Sequence, residues 1–317
     1  MNSLLYISTV LIWGSTWLAI AWQVGEVAVP VSVFYRFIMA ALVLLIGLML
    51  WRRRQPLSGQ DHLFCVLQGS CVFGLNFYCF YLAAGVLPSG LIAILFSMST
   101  LFNAFNGYLF FRTPVPRVFY PALVLGLLGM AMVFWQDLVA VQATWTLAGA
   151  IGLSLLGTFG FSLGNMVSVR HQRRGLQIST TNAFAMLYGA LLLGSIALLQ
   201  GASFTLPAEP RYLGALIYLA VIGSVGGFGA YFMLVGRIGA GKAAYATVLF
   251  PLVALALSTV FEGYQWRADA LTGLVMILSG NLLMFNAHKV VWRWLKPERR
   301  LIDGPEVRHG GNTERKI

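Results

Sequence analysis

Three sets of polar and aromatic residues recur at helical spacing along this chain. Ser99, Asn103 and Asn106 stand at i, i+4 and i+7, as do Thr158, Ser162 and Asn165, and as do Ser224, Phe228 and Tyr231. At 3.6 residues per turn, each set falls on one face of a helix. Hydroxyls and amides spaced this way within apolar runs can hydrogen-bond a passing solute, or they can fasten one helix to another. Rings supply a second chemistry. Trp13 and Trp17 lie one turn apart, Asn76 and Phe80 likewise, and Tyr245 stands near the start of a later apolar run. Such rings stack on planar or apolar parts of a ligand, or they pack against one another.

Neither chemistry makes a catalyst. No Asp or Glu sits in the middle of an apolar run, and His62, His171, His288 and His309 fall at or beyond run ends. Cys65, Cys71 and Cys79 share one run without a CxxC pair and read as small packing residues. A hydrolase or metalloprotease needs a base, a nucleophile or metal ligands gathered at one place. We therefore expect no enzyme, no catalytic residue, no cofactor and no metal. The lack of an interior Lys/Arg cluster also argues against phosphorylated substrates.

The elements that hold these residues follow from composition. Of 317 residues, 59% are hydrophobic and 10% charged, which leaves too little polar surface to cover a water-soluble core. Runs of about 20 apolar residues are what a bilayer-crossing helix needs. Ten such runs are read, approximately 3–22, 31–51, 63–84, 89–111, 118–136, 146–168, 179–199, 211–235, 240–261 and 268–288. The first is taken as a span and not a cleaved signal: Ala19-Ile20-Ala21 imitates a cleavage site, but no Lys or Arg precedes the apolar stretch.

The net charge of +11 would suggest nucleic acid in a soluble protein. Its placement says otherwise. All the basic residues except Arg36, Arg211 and Arg267 fall on alternate turns or on the tail after 288. Glu26, Asp137, Glu209, Glu262 and Asp269 fall on the opposite turns. With Lys and Arg on the cytoplasmic side, both termini are cytoplasmic. The tail KVVWRWLKPERR reads as an anchor on anionic lipid, with a docking or regulatory element as the alternative.

Arg36 is the one basic residue well inside a run. Its place six residues after Pro30 suggests the outer boundary, where it would reach outer headgroups or pair with Glu26, with an anion contact at the outer mouth as the alternative. Glu26 and Glu262 are the other outer-mouth charges; with Asp269 they are the rim acids that any proton coupling would have to use. Gly226 and Gly227, in a Gly-rich stretch, and Pro251, mid-run, are candidate hinges; close helix contact is the alternative.

A shift of 151 residues lays the third-to-fifth runs over the eighth-to-tenth. Phe80-Tyr81 meets Tyr231-Phe232, Gly85 meets Gly236, Gly90 meets Gly241, Ala93 meets Ala244 and Gly129 meets Gly280. Five spans repeated once give two copies of opposite orientation, an arrangement that in transporters binds substrate near mid-membrane between the repeats.

The segments IWGSTWLAIAW, FYRF after Pro30, and LFPLVALALSTVFEGYQW followed by GLVMILSGNLLMF resemble the EamA type of the drug/metabolite transporter superfamily. The resemblance covers about 1–290. It implies an all-α membrane protein of ten helices in two inverted five-helix halves, a central cavity opening alternately to each side, and export of small metabolites. The family often ends its fourth span in Glu as well as its ninth; here Glu262 fills the second position, whereas the first reads Phe111-Arg112.

The expectation is thus a first repeat over 1–138, a second over 139–288 and a basic cytoplasmic tail over 289–317, in the cell's inner membrane. The protein would export a small neutral or zwitterionic metabolite, such as an amino acid, by alternating access. A multidrug exporter of aromatic cations, or a structural or signalling protein acting through its tail, is the alternative. Partners would be a small-molecule substrate and the lipid bilayer, with no nucleic acid; a homodimer is left open.

Overall fold

The computed structural model describes residues 2–52, 54–135, 145–238, 243 and 246–295. The expected repeat boundary at 138, Tyr245, and the tail beyond 295 lie outside these residues. Among the described residues the chain is all-helical, in ten rods: α1 (Asn2–Ala21), α2 (Val29–Leu50), α3 (Gly59–Ala84), α4 (Ser89–Phe111), α5 (Phe119–Val133), α6 (Trp145–Arg173), α7 (Ile178–Leu199), α8 (Pro210–Ile238), α9 (Ala246–Phe261) and α10 (Ala268–Leu295).

Seven of these, α1 to α4 and α6 to α8, are long and apolar enough to cross a membrane. Three have shorter apolar stretches; the 15 residues of α5 give about 22 Å at 1.5 Å per residue, less than the ~30 Å of hydrocarbon. Local chemistry starts the rods where expected. Pro210 opens α8, where its missing N–H costs nothing. Ser58 Oγ accepts from Asp61 N at the head of α3, while the Asp61 carboxylate accepts from Ser58 N.

The outer surface is apolar. On α1, Leu4, Ile7 and Leu11 form an exposed stripe (68%, 55% and 55%), which in water would be an aggregation face and in a bilayer is simply lipid contact.

Two ends of the bundle can be told apart by contacts. At one, Glu262 after α9 meets Ser89 at the start of α4, Arg211 at the start of α8 lies over Trp22 after α1, and Ser32 at the start of α2 bonds Tyr212. At the other, Asp61 at the start of α3 meets Arg170 and Arg174 at the end of α6, and Gln55 meets Thr180 at the start of α7. We call these the acidic and the basic end. Hence α2 and α8 run from acidic to basic, whereas α7 and α3 run from basic to acidic. Rods at equivalent places in the two halves point in opposite directions.

Packing repeats the relation. Among the most extensive helix contacts are α3 with α6, α5 with α10 and α2 with α7, the last two joining equivalent rods of the two halves. Contacts of α1 with α9 are matched by those of α6 with α4, and those of α3 with α6 by those of α8 with α1. The α5–α10 seam closes on Gly129 and Gly273, where a Cβ on Gly129 would stand 2.6 Å from the Gly273 carbonyl oxygen. Each half also has one wide-wound, π-helical stretch: Gly69–Leu75 in α3 and Tyr218–Gly226 in α8. The 151-residue shift lays the first inside the second and brings their ends together. Such stretches are rare and concentrate at functional sites.

Candidate functional site

A cavity lies between the halves, lined by α1 (Trp13, Thr16, Trp17, Ile20), α2 (Arg36), α3 (Asn76, Phe77, Phe80) and one ring each from α4 (Phe96), α6 (Phe161), α8 (Phe228) and α9 (Phe250). The apolar sequence supplies rings from both halves, and the inverted packing points them at one volume. Trp13 meets Phe228 edge-on (4.9 Å between ring centres) and Tyr231 at a tilt (4.8 Å); Trp17 meets Phe80 (5.0 Å) and Phe96 (5.6 Å); Phe96 meets Phe161 (4.7 Å) and Phe250 (5.4 Å). Only about 20 Å³ remains open to water-sized solutes, so nothing the size of an amino acid fits in this conformation. Ring contacts of this kind are worth about 0.5–1.5 kcal/mol each. Parting three of them costs on the order of 2–4 kcal/mol, within reach of a ligand's binding energy.

The π-helical stretches border this cavity. Asn76 directly follows the one in α3 and donates to Gly157 O on α6 at 2.6 Å; Asn76 Oδ1 is buried and has no partner. Trp13 Nε1 donates to Gly223 O, within the stretch in α8, at 3.3 Å. Gly227, named from sequence as a hinge, is a contact point: a Cβ there would meet Trp13 Nε1 at 2.5 Å. Gly226 ends the π-helical stretch, and Pro251 lies inside α9 beside the cavity-lining Phe250.

The polar stripes meet just beyond the rings, towards the basic end. Asn165 Nδ2 donates to Asn103 Oδ1 and to Tyr231 Oη, both at 3.2 Å, and Asn106 Nδ2 donates to Ser162 Oγ at 2.9 Å. Ser99 Oγ donates to Thr247 Oγ1 at 3.1 Å. Thr158 turns back on its own helix, donating to Ser154 O. All of these side chains are buried. Some capacity is left over, since Asn103 Nδ2, Asn106 Oδ1 and Asn165 Oδ1 have no partner. Tyr231 joins the two zones, its ring against Trp13 and its hydroxyl in the amide cluster. The network fastens α4, α6 and α8 to one another, and none of its hydrogen-bonded side chains lines the cavity.

Arg36 requires a correction. It is 1% exposed, neither at an outer mouth nor paired with Glu26. Its Nε donates to Ser224 Oγ at 3.0 Å, and its guanidinium lies over Phe77 (4.2 Å) and Phe37 (5.0 Å). Inserting an Arg at helix centre costs roughly 2.5–3.5 kcal/mol. One hydrogen bond to a charged group and one cation–π contact, about 1.5–3 and 0.5–2 kcal/mol, are of the same size. The side chain is thereby held, but its charge is not neutralised. Arg36 lies about 10 Å along α2 from its start, and its side chain points inward, against Ser224 of α8 and Phe77 of α3.

Glu26 and Glu262 do share a space. With Glu209, Arg211, Trp22 and Phe261 they line a vestibule of about 350 Å³ at the acidic end. Glu262 has a fastening role there too, accepting from Ser89 Oγ at 2.6 Å and Ser89 N at 3.2 Å. The basic end is closed by Asp61 with Arg174 (3.1 Å) and Arg170 (3.4 Å); beneath the pair, Cys65 Sγ lies 3.9 Å from His171 Nε2.

Sequence reasoning missed Phe77, Phe96, Phe161 and Phe250. A signal existed for two: Phe96 stands three residues before Ser99, and Phe161 three after Thr158, on the faces already marked by polar residues. Tyr245 lies outside the described residues.

Comparison with known proteins adds the context. The sequence profile of the EamA-like transporter family matches residues 2–135 and 143–286. A Bacillus subtilis (strain 168) protein named "Uncharacterized transporter YoaV" is 23% identical over 291 residues, covering 90% of this chain and 97% of its own. PagO of Salmonella typhimurium (strain LT2) is 23% identical over 301 residues, 91% of this chain and 94% of its own. A "Probable amino-acid metabolite efflux pump" of the same Salmonella strain is 23% identical over 201 residues, 61% of this chain and 66% of its own. One protein of solved crystal structure superposes with a TM-score of 0.65 at 15% identity, over 93% of this chain and 99% of that one, a likeness of fold.

Proposed function

Because the chain belongs to the EamA-like transporter family of the drug/metabolite transporters and is a multi-pass membrane protein, we propose that it exports a small neutral or zwitterionic metabolite by alternating access. The observation that carries this reading is the aromatic cavity between the two inverted halves, with an amide cluster behind it. Substrate sites of inverted-repeat transporters lie at such an interface. Rings offer faces to an apolar side chain, and the amides offer both donors and acceptors to polar groups moving towards the basic end. Trp13, Trp17, Asn76, Phe80, Asn103, Asn165, Phe228 and Tyr231 line the route in this reading. The "Probable amino-acid metabolite efflux pump" among the relatives supports amino acids or related compounds as cargo.

All ten rods are spans in this reading, in the cell's inner membrane with both termini cytoplasmic; the crowding of Lys and Arg on alternate turns supports that orientation. The vestibule of Glu26, Glu209 and Glu262 is then the outer opening, and the Asp61–Arg170–Arg174 cluster the inner closure. Export of aromatic cations draws on the same rings, but Arg36 puts like charge in the cavity and weighs against it.

The test is thermal unfolding of the purified, full-length protein against a panel of amino acids, related acids and nucleotide sugars. A concentration-dependent rise with members of the first two groups supports the proposal. A rise with nucleotide sugars alone overturns it.

A further inference from the structure

Arg36 is the one charged residue lining the central cavity, and the cavity supplies it with no acid. Among the described residues, no Asp or Glu lies within ion-pair distance of its guanidinium. Nε is committed to Ser224 and the guanidinium also faces the Tyr81 hydroxyl, while Nη1 is buried without a partner. A second donor in the same lining, Trp17 Nε1, is also buried without a partner. On the acceptor side the lining has Asn76 Oδ1. A buried site with one fixed positive charge and two unspent N–H donors is the complement of a single anionic group. Around it stand rings, Ile20 and Thr16, whose hydroxyl is spent on Trp13 O, so the remaining surface is one that holds an apolar body.

We infer that Arg36 is the docking point for a carboxylate, and that the cargo is a monocarboxylate bearing an apolar, ring-sized body. The inference rests on the transport reading above and shifts its cargo: the carboxylate is the group that is read, so anionic acids join zwitterions as substrates. An α-amino group is tolerated through Asn76 Oδ1 but is not what the site selects, because no carboxylate lines the cavity to meet an ammonium. A lone guanidinium suits one negative charge; a phosphate dianion calls for a second cation, and the lining holds none. Arg36 belongs to the first half of the chain and Ser224, which fixes its Nε, to the second. Movement of the halves therefore re-aims the guanidinium, so that carboxylate binding and alternation act on one side chain.

The experiment measures thermal stabilisation of full-length protein by five probes sharing one ring: 3-phenylpropionate, phenylalanine, 3-phenylpropionamide, phenethylamine and phenyl phosphate. The expected result is stabilisation by the two carboxylates, with the amide and the amine weaker by about tenfold or more in apparent affinity. Arg36→Gln abolishes the preference for acid over amide. Arg36→Lys keeps the charge without the planar fork and retains part of the preference. The wild-type comparison stands even where a variant fails to fold. Equal stabilisation by acid and amide overturns the inference and leaves the transport reading intact, as does stronger stabilisation by phenyl phosphate or an Arg36→Gln protein that still prefers the acid. No stabilisation by any probe, with none from the wider metabolite panel, overturns both.

Discussion

Arg36 Nε donates to Ser224 Oγ at 3.0 Å, and the bond ties α2 of the first half to the π-helical stretch of α8 in the second. It joins the one charged side chain of the cavity to a polar residue that sequence spacing had already placed on an interior face. Ser224→Ala removes the Nε acceptor and leaves the guanidinium to the Phe37 and Phe77 ring faces and the Tyr81 hydroxyl. Loss of a hydrogen bond to a buried charge costs about 1.5–3 kcal/mol. We expect a lower unfolding temperature and weaker ligand stabilisation together; a normal thermal profile would show that the bond matters little.

The amide cluster offers a second test. Asn165→Ala leaves Asn103 Oδ1 and the Tyr231 hydroxyl without their donor. Stranding buried polar groups costs about 1–3 kcal/mol. Reduced transport with a modest loss of stability is expected from vesicle assays run beside thermal melts. Unaltered flux in a destabilised protein would restrict the cluster to fastening helices.

At the seam between equivalent rods, Gly129→Val drives a side chain into the Gly273 carbonyl and Ile277. Overpacking of this kind costs about 1–3 kcal/mol, so a lower melting temperature and poor yield are expected. Gly152→Ala on α6 is the control: nothing lies within 4 Å of its would-be Cβ, and stability should hold or rise slightly.

Closure of the basic end rests on Asp61 with Arg170 and Arg174. Asp61→Asn weakens that closure and exposes Cys65, now buried beside His171. Alkylation by a small maleimide, located by mass spectrometry, should quicken at Cys65 by about tenfold in the variant, the signature of a shifted population. Cys79, also buried but near the opposite end of α3, serves as the internal reference. Equal rates at Cys65 in both proteins would remove the gate from this end.

Much of this was legible before any coordinates. Polar residues inside apolar runs break a pattern, so the faces holding Asn103, Ser162, Asn165 and Tyr231 announce themselves by period alone. The repeat was legible through glycines, because close helix approach at Gly129 and Gly280 restricts what can stand there. The rings were harder. Phe96 and Phe161 stand near polar residues that mark their faces, but Phe250 has no such neighbour, and its residue type does not separate it from the exposed Phe105 and Phe110. The direction of Arg36 was hidden for a related reason: its depth can be counted from Pro30, but its partner Ser224 is 188 positions away and is set by how two inverted halves pack. The π-helical stretches carry no period of their own and emerged only from the backbone.

The most direct test of the central claim is counterflow of labelled amino acids and 3-phenylpropionate in proteoliposomes holding the full-length chain, compared with Trp17→Phe and Asn76→Leu. Trp17 and Asn76 line the cavity from different helices. Saturable exchange by the wild type, with both variants folded but slower by about tenfold, is the predicted result. Exchange at the wild-type rate in both folded variants would contradict a route through this cavity.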